Sequence, residues 1–298
     1  MAETFLQRIR SLFGQRQRPA QPPAGTRPAS AAAEDLAVLA GWDVGLATDV
    51  GCARQSNQDC VAALRLELQQ GPAQHALALA LADGMGGHEA GDVASRVAVR
   101  AALAHLLTEA MLPLLTPDEG AAPMALRELL ENAAHHADAA VRQVVKSGGT
   151  TLTLGLLVGQ QLYLAHVGDS RAYLLQGGEA RQLTRDHSFV GRLVELGELP
   201  AAEAGQHPQR NVLYRALGQG PLPEVDFATC AVDDAALMLC SDGLWSLFSA
   251  DELAALGEEP GAAQTVCQRW IAAARQRHAD DNVSLLLARP TLRGRSSP

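Results

Sequence analysis

Between Trp42 and Ala288 short apolar runs recur, separated by turn residues. Asp43–Val50, Cys60–Leu68 and His75–Ala82 come first, and runs of this length bounded by Gly, Asn or Asp predict buried strands. Two longer segments then switch to a helical period. Glu89–Ala110 is rich in Ala, Val and Leu, and Met124–Val145 sets Leu126, Leu129, Leu130, Ala133, Ala137, Val141 and Val144 along one face. Thr150–Val158, Gln161–Val167 and Ala172–Leu175 follow in close succession. Gly159-Gln160 between the first two and Gly177-Gly178 after the third predict an antiparallel meander. Residues 187–220 read as irregular with one short helix. The end predicts strands at Glu224–Cys230 and Ala235–Cys240, a short helix near Trp245–Leu256, a helix over Ala262–Arg277 and a last strand, Asn282–Ala288. Strands in runs followed by helices in runs indicate an α+β fold, with antiparallel sheets and helices packed outside them.

Residues 1–33 break this pattern. Ala20–Ala33 is rich in Pro and Ala and reads as a flexible linker. Before it, Phe5, Leu6, Ile9, Leu12 and Phe13 fall at helical spacing among arginines. The segment holds five Arg and one Glu, so the remainder carries about −13 of the formal net charge of −9. A basic amphipathic stretch over residues 3–18 suits docking on a partner or an anionic membrane surface, or else is a solvated tail. The acidic balance argues against general nucleic-acid binding. None of the five cysteines forms a CxxC pair, and several lie inside apolar runs, as small core residues of a reducing compartment do. No uncharged apolar stretch reaches the ~18 residues of a membrane span. A cytoplasmic protein without a transmembrane span is the expectation.

The apolar runs share one peculiarity. Asp83, Asp169 and Asp242 each follow such a run, whereas Asp59 and Asp281 each open one. Carboxylates gathered at strand ends repel one another and resist desolvation unless something positive lies among them. Hard divalent cations ask for such oxygen-rich clusters, so Mg²⁺ or Mn²⁺ is the expected occupant. After Asp83 the chain reads Gly84-Met85-Gly86-Gly87-His88-Glu89-Ala90-Gly91, a loop able to bring backbone close to an ion or phosphate. Position 92 is Asp, so His88-Glu89 is not a zincin motif. No GxxxxGK[ST] occurs. Gly168-Asp169-Ser170-Arg171-Ala172 lacks the last glycine of a nucleophile elbow and runs on into a strand, so it reads as a tight turn presenting Asp169. His135-His136 and Asp138 read as solvated helix surface. Arg54, five residues before Asp59, would suit a phosphate oxyanion beside bound metals.

In sequence order these pieces are Asp49-Val50-Gly51…Arg54…Asn57-Gln58-Asp59, Asp83 to Gly91, Gly149-Thr150-Thr151, Val167 to Arg171, Leu183 to Ser188, Asn211 to Gly218, Ser241 to Trp245 and Asp281 to Ser284. On them the chain resembles the metal-dependent protein phosphatase family, type 2C, in its bacterial form. The resemblance implies an α/β/β/α sandwich of two antiparallel sheets over residues 34–290, a flap at about 185–218 and a tail at 291–298. It also implies a protein serine/threonine phosphatase that hydrolyses phosphoserine and phosphothreonine and opposes a Ser/Thr kinase. Asp83 matches the carboxylate that bridges two metals, with the Gly84 carbonyl on one of them. Asp242 and Asp281 match ligands of the other, and Asp169 with Asp242 a weaker third. Asp59 matches a supporting acid and Arg54 the phosphate-binding arginine. Three positions depart from the pattern. Gln58 stands where a Glu holds metal-bound water, and Ser246 where an Asp follows the Trp. Met85 occupies the place of the eukaryotic general-acid His, leaving His88 as the substitute to test. Gln58 and Ser246 are also the only support for the alternative, a pseudophosphatase that binds a kinase or phosphoprotein without turnover.

Overall fold

A computed structural model describes residues 39–68, 74–86, 90–112, 126–204 and 207–292. The basic amphipathic segment, His88 and residues 293–298 lie outside them. In chain order the described strands are β1 (Leu39–Asp49), β2 (Asp59–Leu68), β3 (Gln74–Met85), β4 (Gly149–Thr150), β5 (Leu152–Val158), β6 (Gln161–Val167), β7 (Arg171–Gln176), β8 (Glu179–Gln182), β9 (Asp226–Ala231), β10 (Ala236–Cys240) and β11 (Val283–Leu292). The long helices are α1 (Ala90–Leu106), which runs on into a π-helical turn at Leu107–Met111, and α2 (Leu126–Val144). Two short ones follow, α3 (Phe189–Glu195) and α4 (Ala201–Ala204), then α5 (Asp242–Trp245), α6 (Ala250–Glu258) and α7 (Ala263–Gln276).

The strands form two antiparallel sheets, β1-β11-β10-β7-β8 and β2-β3-β5-β6-β9, with β4 beside the end of β3. Strand β3 shows why the sequence reads as an unbroken apolar run. Its Ala76, Ala78, Ala80 and Ala82 face α1 and α2, whereas Leu77, Leu79 and Leu81 face the other sheet. Both faces are covered, so neither can be polar. Alanines on the helix-facing side meet Ala94, Ala98 and Ala102 of α1, spaced one turn apart, so helix and sheet backbones lie close. The first sheet packs its outer face, including Met238, Leu285 and Leu287, on α6 and α7.

The predicted meander is corrected here. Strands β5 and β6 pair through the Gly159-Gln160 turn, but β7 pairs with β10 in the other sheet and with β8, a short strand absent from the sequence reading. The chain crosses between sheets at Gly168–Ser170. Gly168 has φ +116°, and a Cβ on it would lie 2.5 Å from the Thr151 side chain, so only glycine makes this crossing. Two further differences are smaller. The helix expected near Trp245–Leu256 is two helices, α5 and α6, the second opened by a Ser249/Glu252 capping box. The described residues of 187–220 hold two short helices rather than one. All five cysteines are free; Cys240 and Cys267 are buried, Cys60 and Cys230 partly so, and Cys52 is exposed. No helix among the described residues is long and apolar enough to cross a membrane.

Candidate metal centre

Two cavities meet where the strands of both sheets end. One, of about 420 Å³, is lined by Gln58, Asp83, Gly84, Met85, Gly86, Thr151 and Leu213, among others. A larger one, of about 910 Å³, is lined by Arg185, Asp186, Val190, Ala204 and Arg210, among others, and runs past Trp245 and Ser246. Arg54, Asp169, Asn211, Asp242 and Asp281 line both. Four of the five border aspartates therefore share one cavity. The fifth, Asp59, stands directly behind, in register with Asp83 across the β2–β3 ladder.

Each carboxylate is placed by local structure. The Asp83 N–H donates to Thr151 Oγ1 at 2.8 Å, and its carbonyl accepts from Thr151 N–H and Thr150 Oγ1–H, both at 2.9 Å. Thr151 Oγ1 also lies 2.7 Å from Ser170 Oγ, which ties the crossing turn to the same strand end. Asp169 is fixed from the other side, where Trp245 Nε1–H donates to its carbonyl at 3.0 Å. That indole is covered by the Arg171 guanidinium, 3.5 Å from the ring centroid and clamped by Asp186. Asp242 opens α5 directly after β10, and Asp281 immediately precedes Asn282 and β11.

The electrostatics are those of crowded negative charge. Burial pushes the Asp59 carboxyl up to about 7, against the pull of hydrogen bonds from Ser284 and Ser241. Burial raises Asp83 well above the usual carboxylate range, and Asp59, Asp242, Asp169 and Asp281 add to it. Asp169 is raised by burial and then by Asp242. Asp242 reaches about 6, through burial and then Asp281, while standing within hydrogen-bonding reach of Asp83. Arg54 supplies the positive charge, donating from Nη2 to Asp281 Oδ2 at 2.7 Å, with its side chain about half exposed to the cavities.

A divalent cation fits this arrangement. Asp59 Oδ1 and Asp242 Oδ1 are buried and have no hydrogen-bond partner in the protein. An orphaned carboxylate oxygen is costly, and a hard cation with oxygen ligands relieves it. Among the described residues no three acidic, His or Cys side chains already close on one point, as mutually repelling carboxylates would not.

The structure also places the residues that depart from the sequence pattern. Gln58 lines the smaller cavity, but its Nε2–H donates to the Gly86 carbonyl at 3.1 Å, a bond that a carboxylate cannot make. Ser246 is exposed in the larger cavity, beside Trp245. Asp138 is not solvated helix surface as expected; it is buried, for reasons that reach beyond its helix. Sequence reasoning gave no role to Asn282, the hub of the site loop. Its side chain accepts from Gln58 N–H and donates to the Val50 and Ser56 carbonyls. A lone Asn after Asp281 signals only a turn, because its partners lie more than 200 positions away. Asn211 and Leu213, which reach both or one of the cavities from the irregular segment, carried no signal beyond the motif they belong to.

A double antiparallel sheet whose strand ends gather aspartates beside an arginine is a scaffold for metal-assisted chemistry on a phosphate. A family model described as Protein phosphatase 2C matches residues 53–288. The serine/threonine phosphatase stp of Listeria welshimeri is 36% identical over 218 residues, covering 71% of this chain and 84% of that protein. The crystal structure of the Mycobacterium tuberculosis serine/threonine phosphatase PstP/Ppp superposes with a TM-score of 0.68 at 34% identity, over 84% of this chain and 99% of that one. The catalytic domain of PstP in complex with two manganese ions gives a TM-score of 0.66 at 33% identity, over 84% and 98%. The chain belongs to the protein phosphatase 2C family. It is a protein serine/threonine phosphatase that depends on a divalent metal.

Proposed function

We propose that the chain hydrolyses phosphoserine and phosphothreonine with two Mn²⁺ or Mg²⁺ ions held at this cavity. Asp83 and the Gly84 carbonyl, with Asp242 and Asp281, are the ligands assigned to the pair, and Asp169 with Asp242 to a weaker third ion. When bound, the ions supply Lewis acidity and an activated water for in-line attack on phosphorus. The single observation that carries this reading is the pair of orphaned buried oxygens, on Asp59 and Asp242, within one cluster of raised carboxylates.

The protein's own groups do the rest. Arg54 is fixed by Asp281 at one nitrogen, so a phosphoryl group entering either cavity meets a guanidinium already oriented. Asp59 supports Asp83 from behind, its Oδ2 accepting from Ser241 Oγ–H at 2.8 Å. Gln58 holds the glycine loop through Gly86 rather than adding charge, which makes the metal affinity lower than a glutamate there would give. Ser246 leaves the third ion one carboxylate short. His88 is the general acid to test. The seryl or threonyl alkoxide requires a proton as it leaves, and no nucleophilic Cys or Asp is needed.

Residues 34–290 form the catalytic domain in this reading, with residues 185–218 as the flap, residues 3–18 as a docking segment or a solvated tail, and residues 291–298 as a tail. A bacterial Ser/Thr kinase or its targets supply the phosphoproteins, in the cytoplasm. Nothing in the site favours a silent phosphoprotein-binding role, since every main ligand position keeps its Asp. The test is phosphate release from a phosphothreonine peptide. It should need Mn²⁺, stop with chelator, and be lost in Asp83→Asn and Asp242→Asn; undiminished release in either variant overturns the assignment.

A further inference from the structure

Helix α2 carries a carboxylate that helix packing does not explain. Asp138 is 2% exposed, yet its oxygens are fully engaged. Oδ1 accepts the backbone N–H of Gly218 at 2.7 Å, and Oδ2 accepts from Arg142 Nε–H, one turn along, at 2.6 Å. The same guanidinium donates to three successive carbonyls, those of Gln219 at 3.2 Å, Gly220 at 2.9 Å and Pro221 at 3.1 Å. One i,i+4 pair thus grips four consecutive residues about 80 positions away. Only a planar fork of donors can collect carbonyls in this way. Gly218, at φ +83°, lies so close to α2 that a Cβ would sit 2.5 Å from Val141 Cγ1.

The gripped segment leads straight to the site. Leu217 exchanges backbone hydrogen bonds with Thr150, at 2.8 and 3.1 Å, and Thr150 Oγ1–H donates to the Asp83 carbonyl. A few residues upstream, Leu213 and Asn211 line the smaller cavity, and Leu213 bridges to Ser188 at the other end of the flap. Neither Asp138 nor Arg142 lines either cavity.

We propose that Asp138 and Arg142 are positioning residues that fix the exit of the flap, so that Asn211 and Leu213 form the wall against which a phosphorylated polypeptide docks. A small phosphate ester needs only Arg54 and the aspartate cluster, which the clasp reaches indirectly through backbone. A polypeptide needs the flap wall as well. Loss of the clasp therefore separates the two substrates. The inference rests on the phosphatase reading of the cavity.

The experiment compares full-length wild type, Arg142→Ala and Arg142→Lys in saturating Mn²⁺, on a phosphothreonine peptide and on para-nitrophenyl phosphate. Arg142→Ala should lose at least tenfold in kcat/KM on the peptide, mainly through KM, and stay within twofold on the small ester. Arg142→Lys, which keeps the charge and loses the fork, should fall between. An equal fall on both substrates, or no fall on the peptide, overturns the proposal. If Arg142→Ala does not fold, Arg142→Lys is judged by the same split. Wild-type protein inert on both substrates would instead refute the phosphatase reading itself.

Discussion

Stripping the metal should make the stability of this protein fall as pH rises, relative to its metal-loaded form. Asp59 is the clearest source. Its carboxyl is held at about 7, against an ordinary value of 3.8. A carboxylate raised on folding contributes stability that is complete below the unfolded value and lost as pH climbs through the folded one. A shift of about three pH units corresponds to about 4 kcal/mol at 1.36 kcal/mol per unit. Asp83, Asp169 and Asp242 are raised partly by the same charges, so this loss belongs to the cluster and is not summed residue by residue. Two buried histidines work the other way, His187, lowered first by burial, and His166. His166 is held down to about 4, first by burial and then by His187, so its contribution grows as pH rises towards 6.5. The readout that isolates the cluster is therefore a difference. Urea unfolding is measured at pH 5, 6, 7 and 8, once in chelator and once in saturating Mn²⁺, and the two free energies are subtracted at each pH. The histidines cancel in this subtraction. The gap should widen by about 3 kcal/mol from pH 5 to pH 8, because about two of those three pH units fall above pH 5 and bound metal keeps the carboxylates ionised at no such loss. Asp59→Asn should flatten the slope. A gap of the same size at pH 5 and pH 8 would refute the reasoning.

Three further outcomes are expected. Arg54→Ala should lower kcat/KM on a phosphopeptide about 100-fold, with Arg54→Lys recovering part of it, because a point charge replaces a fork; steady-state kinetics decide this. Gln58→Glu should tighten Mn²⁺ binding in a calorimetric titration, since it adds a charge to the cavity, while losing the donor to Gly86; unchanged or weaker binding contradicts the place assigned to Gln58. Ala80→Leu, on the face of β3 turned to α1, should cost about 1–3 kcal/mol by overpacking a fully buried contact, read as a lower urea midpoint with kcat per folded molecule preserved.

Much of this was legible because it is local. A buried strand must be apolar along its length, so a charged residue at its border stands out, and all five border aspartates do converge on one place. Crossings are not local. The apolar run of β7 looks the same whichever sheet receives it, and only the conformation of Gly168 sends it across. Asp138 illustrates the same limit. Its i,i+4 relation to Arg142 is visible in the sequence, but the segment that makes both residues necessary lies about 80 positions further on. Asn282 is a third case, an amide whose meaning comes from three partners on a distant loop.

The carboxylates of the centre come from both layers: Asp59 and Asp83 from one sheet, Asp242 and Asp281 from the other, and Asp169 from the turn that joins them. Their spacing is thus set by how one sheet lies on the other, through the interleaved Leu77, Leu79, Leu81, Leu237, Leu239 and Leu286. The cavity acts as a gauge of sheet-to-sheet slippage. Heat or pressure that lets the layers slide by a fraction of an ångström would register first as released metal and silent enzyme, while each sheet and its helices were still intact.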